Sequence, residues 1–323
     1  MSNSPVFCTL FDSNYLAKGV VMLRSLLKCS SQAEIFVLCM DEFTYSYLNL
    51  LSLNGVKLLS LPQVEDERLL KVKSERTSAE YCWTLSPSLP YYLLSNIKSL
   101  EHIIYIDADL YFCSSIDPLM QEFEDFSIVV SEHRFPEMFK YMEANGRFCV
   151  QWVGFRRDSE GLACLSRWRD ECLEWCFNRL EDGKMGDQKY LDNWPSTYSR
   201  VKILGHIGAG VAPWNFSNYH FSLGSDGLIK VNGQSLIFYH FHQFQVLGQG
   251  KFDRMSDLYR SQGAEPHLLY SLYENEIRRA YTEIQSEYPN FSGGVRPYFL
   301  LKLQRFAQAM LPSWLKLLIK KIT

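Results

Sequence analysis

Apolar positions fall into short unbroken runs separated by longer segments with helical spacing. Val6–Leu10 is the first run, followed by Asp12, Ser13 and Asn14 as loop and cap residues. Leu16–Lys28 then reads as a helix with Val20, Leu23 and Leu27 on one side. Glu34–Met40 and Val56–Leu61 are further strand candidates around a helical Tyr45–Leu53. Strands that are apolar throughout, rather than alternating, predict a mostly parallel sheet covered on both faces, hence an α/β fold. Leu89–Asn96 predicts a helix leading into His102–Ile106, a buried strand that ends at Asp107-Ala108-Asp109. Phe126–Ser131 and Gln151–Phe155 predict two more strands. A long amphipathic helix over Glu160–Leu180 carries Leu162, Leu165, Trp168, Cys172, Trp175 and Cys176 on its apolar side, and Asp182-Gly183 stops it. Asp187–Asn193 predicts a short helix and Val201–Leu204 a small strand. Asn232-Gly233 between β-rich flanks predicts a type I′ hairpin.

After Phe244 the pattern turns more polar and helical. The expected organisation is a body over residues 1–245 and a helical C-terminal extension over 246–323, basic and amphipathic from about 296. That end holds six Lys/Arg and no acid; Phe299, Leu303, Phe306 and Met310, then Trp314, Leu315, Leu318 and Ile322, keep helical spacing. Such a segment predicts peripheral contact with an anionic membrane surface, or docking on the body or a second subunit.

Charge removes one class of function. With 33 Lys+Arg against 36 Asp+Glu and a net charge of −3, no basic excess exists to neutralise nucleic-acid phosphates. The nine cysteines are odd in number, form no CxxC pair and sit mostly in apolar runs, which is the usage of a reducing compartment. Cys172 and Cys176 read as buried small hydrophobes rather than ligands. No basic stretch followed by an apolar core opens the chain, and no run of about 18 apolar residues occurs. The expected location is cytoplasmic, at most associated with the inner membrane face.

Three stretches could carry chemistry. Asp107 and Asp109, two apart beyond an apolar strand, stand where open α/β sheets bind ligands, and paired carboxylates suit Mg²⁺ or Mn²⁺ bridging to phosphate. The other reading is an ordinary strand-terminal turn or helix cap. In FYHFHQF, His240 and His242 alternate on an aromatic strand and so share a face, as metal ligands, phosphate contacts or a core histidine. Asp187-Gln188 follows Gly183 and Gly186 at a predicted helix start, where plain capping is the simpler role. His206 sits in a Gly-rich loop. Trp83, Trp152, Trp194 and Trp214 mostly flank these loops, whereas Trp168 and Trp175 follow the helical period of a core.

The ordered set resembles glycosyltransferases of the GT-A fold, in particular glycosyltransferase family 8 and its bacterial relatives of unassigned specificity. YIDAD is similar to the YLDAD element of that family. FCTLFDSNYLAKGVVMLRSLLK resembles its first strand, loop and helix, GDQKYLDNW its DQ-containing helix start, APWNF its aromatic-Asn element, and FYHFHQF the late strand that supplies a metal histidine. The resemblance spans roughly residues 5–245. It implies a nucleotide-diphosphate sugar donor, UDP by default, with Mn²⁺ or Mg²⁺ and a saccharide or lipid-linked saccharide acceptor in cell-surface glycan synthesis. Residue by residue, it implies Asp107, Asp109 and His240 as metal ligands. Thr9, Asp12 and Tyr15 would sit at the donor base, and Ala108 and His242 at the donor. Asp187 and Gln188 would stand beside the reacting sugar carbon, in a reaction that retains anomeric configuration.

Two departures stand out. Where the family shows a phenylalanine-Asn-x-Gly element, this chain has GRFCVQWVGF, with Cys149 in place of Asn and Gln151 in place of Gly, which implies a narrower or differently read pocket. The lysine of the family's closing loop is absent; Gln243, Gln245, Lys251 and His242 are the nearby polar groups. Two other accounts are a non-catalytic binding or scaffold protein on a degenerate transferase fold, and a sugar-phosphate nucleotidyltransferase, although Leu10–Gly19 lacks the Gly-rich basic signature of the latter.

Overall fold

The apolar runs fold into a seven-stranded sheet. In chain order the strands are β1 (Val6–Phe11), β2 (Glu34–Cys39), β3 (Val56–Ser60), β4 (His102–Ile106), β5 (Leu110–Phe112), β6 (Ile128–Glu132), β7 (Phe148–Arg156) and β8 (Val201–Ile203). All but β5 join the sheet, in the order β3-β2-β1-β4-β7-β6-β8. Its pairs are parallel except those of β7, which runs antiparallel to both neighbours. The computed structural model describes residues 4–248 and 250–299. It has the expected α/β class, with a mostly parallel central sheet and flanking helices.

Alternate side chains of each strand enter opposite faces, so one sheet serves two cores. Phe7, Ile104 and Trp152 belong to one, beneath the helix Leu16–Cys29. Cys8, Ile103 and Val153 belong to the other, beneath the helices Ser78–Asn96 and Ser159–Glu174. The first of these begins earlier than Leu89. A capping box between Thr77 and Glu80 starts it, and it runs through Pro87 and Pro90. Its burial offsets the backbone bonds those prolines remove. The second ends at Glu174, not Leu180: Trp175 is extended and half-buried beyond the helix, and Leu162 faces solvent. Trp152 and Trp194 are core residues. Trp152 stacks on Phe238, and Trp194 meets Phe155 and Trp168 edge-on.

The remaining strands are β9 (Phe221–Leu223), β10 (Ile229–Val231), β11 (Gln234–Ser235), β12 (Phe238–His240), β13 (Gln245–Leu247), β14 (Lys251–Asp253) and β15 (Val295–Arg296). The β10–β11 hairpin turns at Asn232 (φ 49) and Gly233 (φ 83), the two positive angles a type I′ turn requires. Beyond Phe244 the chain is not purely helical. β14 and β15 flank β13, and the helix His267–Glu287 buries Tyr270, Tyr273 and Ile277 in the first core. Residues 300–323, most of the basic amphipathic end, lie outside the described residues. Among the described residues no helix is long and apolar enough to cross a membrane.

Candidate active site

The site forms because β4 stops. After Ile106 the chain turns through Asp107-Ala108-Asp109 and re-enters an extended path as β5, which pairs antiparallel with β12. In that register His240 lies opposite Leu110, and Phe241 N–H donates to the Asp109 carbonyl at 2.9 Å. This fixes His240 beside the acids: its Nε2 is 3.0 Å from Asp109 Oδ1 and 3.8 Å from Asp107 Oδ2. On the other side of the ring, Gln151 Oε1 is 3.0 Å from Nδ1. Asp109 and His240 are buried, while the Asp107 side chain keeps 28% exposure.

Electrostatics follow from that crowding. Burial pushes the Asp107 carboxyl up to about 6; the Asp109 charge adds to the rise and His240 opposes it. Burial also works against ionised Asp109, but the His240 charge and hydrogen bond, with Lys18 beyond, hold it well below the usual carboxylate range. Burial disfavours charged His240, and the two acids outweigh that, so its pKa rises. Free of metal, His240 and Asp109 therefore form a buried ion pair.

His242 lies just past the end of β12. The two imidazoles are 5.5 Å apart and both meet the edge of Trp214, at 5.1 and 5.3 Å. Burial first, then the charge of His240, depresses His242 to about 3, so it stays neutral. Trp214 is held by its indole N–H on the His133 carbonyl (2.9 Å). Asn215 locks the same turn, donating to the carbonyls of His133 (2.7 Å) and Gly210 (2.9 Å) and accepting from Ala212 N–H (2.9 Å). APWNF is thus the support under both histidines.

Asp187 reaches the site from another segment. It follows Gly186, whose φ of +52 favours glycine and whose added Cβ would lie 3.3 Å from Trp83. Trp168 Nε1–H bonds the Asp187 carbonyl at 2.8 Å. Burial, then the nearby Asp107 charge, pushes the Asp187 carboxyl up to about 7. The expected short helix starts two residues later, as a 3₁₀ helix over Lys189–Asn193 that runs on into an α-helical turn at Trp194–Thr197. Gln188 is anchored by its amide on the Asn145 carbonyl (2.9 Å), beside Gly146, where φ is +139 and an added Cβ would meet Gln188 at 3.3 Å.

The remaining candidates have mixed fates. Ala108 is buried between the two acids. Thr9, on β1, is fully buried with its hydroxyl unpartnered. The Asp12 carboxylate caps its own turn, accepting from the N–H groups of Asn14 (3.0 Å) and Tyr15 (3.2 Å). Tyr15 is 43% exposed, with the Lys18 ammonium 4.4 Å from its ring centre. His206 is a turn residue: its Nδ1 accepts from Gly208 N–H at 3.1 Å. Lys251 carries its ammonium over the Tyr298 ring at 5.1 Å.

Sequence reasoning missed three participants. Lys18 is a buried cation whose charge reaches Asp109. His133 packs on Trp214 at 5.1 Å. Gln151, read as a departure that fills the pocket, is fully buried and spends its amide on His240 and on Ser131 (3.4 Å). Alternation along β7 was the available signal for Gln151; its partner was not.

The chain is 31% identical over 306 residues to the uncharacterized protein YfnD of Bacillus subtilis (strain 168), covering 94% of this chain and 98% of that one. It belongs to the family of YfnD. YfnF, an uncharacterized protein of the same organism, is 29% identical over 294 residues, covering 89% of this chain and 96% of YfnF. No family model matches. Among solved structures, mouse xyloside xylosyltransferase 1 is similar with a TM-score of 0.47 and 15% identity, over 74% of this chain and 98% of that one. The galactosyltransferase LgtC, in complex with donor and acceptor sugar analogs, is similar with a TM-score of 0.47 and 14% identity, over 73% of this chain and 87% of that one.

Proposed function

We propose that this protein is a divalent-metal-dependent glycosyltransferase. It takes a nucleotide-diphosphate sugar, UDP-linked by the sequence resemblance, and transfers the sugar to a saccharide or lipid-linked saccharide in cell-surface glycan synthesis, with retention. One observation carries the reading: two carboxylates and an imidazole converge at the C-terminal end of β4, with a protonatable Asp187 beside them. The donor set of carboxylate oxygens and an imidazole nitrogen suits a divalent cation, and Asp107 is partly exposed.

Asp107, Asp109 and His240 would hold the ion, which when bound would supply positive charge toward a nucleoside diphosphate leaving group. Gln151 fixes the His240 ring, accepting Nδ1–H so that Nε2 faces the acids. Ala108 and His242 border the donor diphosphate, and Thr9, Asp12 and Tyr15 its base. Gln188 is a positioning residue for the sugar and acceptor. Asp187, with a carboxyl near neutrality, can hold or release a proton at the acceptor hydroxyl. The basic end from about 296 would bring the enzyme to the inner membrane face, near a lipid-linked acceptor.

The test is donor turnover. Full-length protein is incubated with UDP-, GDP-, CMP- and dTDP-sugars, with Mn²⁺ or with EDTA, and released nucleotide is measured. Metal-dependent release from one donor, abolished in Asp109→Ala, is the expected result. No release, together with no Mn²⁺-dependent nucleotide binding, would overturn the catalytic reading in favour of a binding protein.

A further inference from the structure

The cluster around His240 holds one more potential donor atom. Asp107, Cys149 and His240 each place a ligand atom within 4.8 Å of the other two, the one such group of three among the described residues. Cys149 is 5% exposed and is the second residue of β7. Two positions on, along the same face of that strand, Gln151 holds the far nitrogen of the same histidine at 3.0 Å. The β6–β7 ladder shifts register between Val130 and Ser131, next to Cys149, and such irregularities re-aim side chains beside active sites. β7 therefore brings two side chains to His240, an amide bonded to Nδ1 and a sulfur within 4.8 Å of a ring nitrogen.

We propose that Cys149 is a further ligand of the site cation beside Asp107, Asp109 and His240, adding sulfur to an oxygen and nitrogen set so that it prefers thiophilic divalent ions over Mg²⁺. The inference rests on the reading of this cluster as a metal site. Its chemistry is that of ligand softness: carboxylates accept Mg²⁺ or Mn²⁺, whereas a thiolate beside an imidazole favours Zn²⁺ or Co²⁺. As the metal–sulfur bond forms, the S–H bond breaks and its proton passes to solvent. The departure from the family's asparagine at this position then changes the metal rather than the pocket's width.

Cobalt reports the sulfur directly. Full-length protein is stripped with chelator and titrated anaerobically with Co²⁺, following the visible ligand-field bands and the near-ultraviolet thiolate-to-cobalt charge-transfer band. Both are expected in the parent. Cys149→Ser should keep the ligand-field bands, lose the charge-transfer band, and weaken Zn²⁺ binding on the order of tenfold or more with Mg²⁺ binding unchanged. Ligand-field bands without charge transfer in the parent would overturn the proposal and leave an oxygen and nitrogen metal site standing. A charge-transfer band that survives in Cys149→Ser would also overturn it, since the sulfur would belong to another cysteine. Absence of all cobalt bands would overturn the metal reading itself. If Cys149→Ser does not fold, Cys149→Ala serves in its place, and the parent spectrum still decides whether any thiolate binds.

Discussion

Gln151 Oε1 lies 3.0 Å from Nδ1 of His240, and both side chains are buried. An amide oxygen can only accept, so Nδ1 must carry a proton and Nε2 is the atom turned to Asp107 and Asp109. When a cation replaces the proton on Nε2, the ring need not rotate. Gln151→Leu removes this acceptor while nearly preserving volume. Its expected effect is a loss of Mn²⁺ or Co²⁺ affinity of about 10- to 100-fold, read by calorimetry. Unchanged affinity would mean that Trp214 and β12 alone orient the ring.

Asp187 costs the metal-free fold stability at neutral pH. Its carboxyl is raised to about 7, against about 3.9 when unfolded, so between those values the unfolded chain is ionised where the folded one is not. Stability therefore falls as pH rises through that window. Asp187→Asn is expected to stabilise the protein in EDTA by about 1–3 kcal/mol at pH 7.5, and not at all near pH 4. In the presence of metal it should lower donor turnover by at least about 100-fold. Thermal melts across pH, paired with the turnover assay, check both.

His102 works in the opposite direction. Its Nε2 accepts the Val6 N–H at 3.3 Å, tying the start of β1 to β4, and burial followed by the Arg156 charge lowers its pKa to about 4. The neutral ring is the folded form, so its contribution is complete above about 6.5 and is lost as pH falls toward 4. His133, lowered to about 4, and His242, lowered to about 3, act with the same sign. Urea unfolding at pH 7 and pH 4.5 should show His102→Gln losing about 1–3 kcal/mol less than the parent over that interval.

Asn215 is fully buried and makes three hydrogen bonds, two within its own turn and one to the distant His133 carbonyl. Asn215→Leu removes the partner of the Ala212 N–H and a donor to each of the Gly210 and His133 carbonyls, the latter keeping the Trp214 indole. A stability loss of about 2–4 kcal/mol is expected from urea denaturation. Because Trp214 supports both imidazoles, metal affinity should fall as well. A loss of stability with metal binding intact would confine Asn215 to the fold.

The sequence by itself determined the elements and the acidic turn. Unbroken apolar runs marked β1 to β4, and β4 could only end at Asp107-Ala108-Asp109, because ionised carboxylates do not continue a doubly covered strand. Asn232-Gly233 dictated its hairpin through backbone sterics alone. These features are local, so a linear pattern suffices to find them. The limits were local too. The prolines hid the first half of the helix Ser78–Asn96, and tertiary burial overrode them. Apolar spacing past Glu174 extended the next helix too far, because Trp175 and Cys176 pack without continuing it.

The site itself is assembled by long-range pairing. The register of β5 against β12 sets His240 3.0 Å from Asp109, and the antiparallel entry of β7 puts Cys149 and Gln151 around the same ring. As letters, those two residues were substitutions in a family element; in space they are neighbours of a histidine far along the chain. Pairing between strands from distant segments depends on how the whole sheet and its crossovers pack, a free energy shared among many residues. Which side chains converge at the end of β4 is therefore written in no single stretch of the sequence.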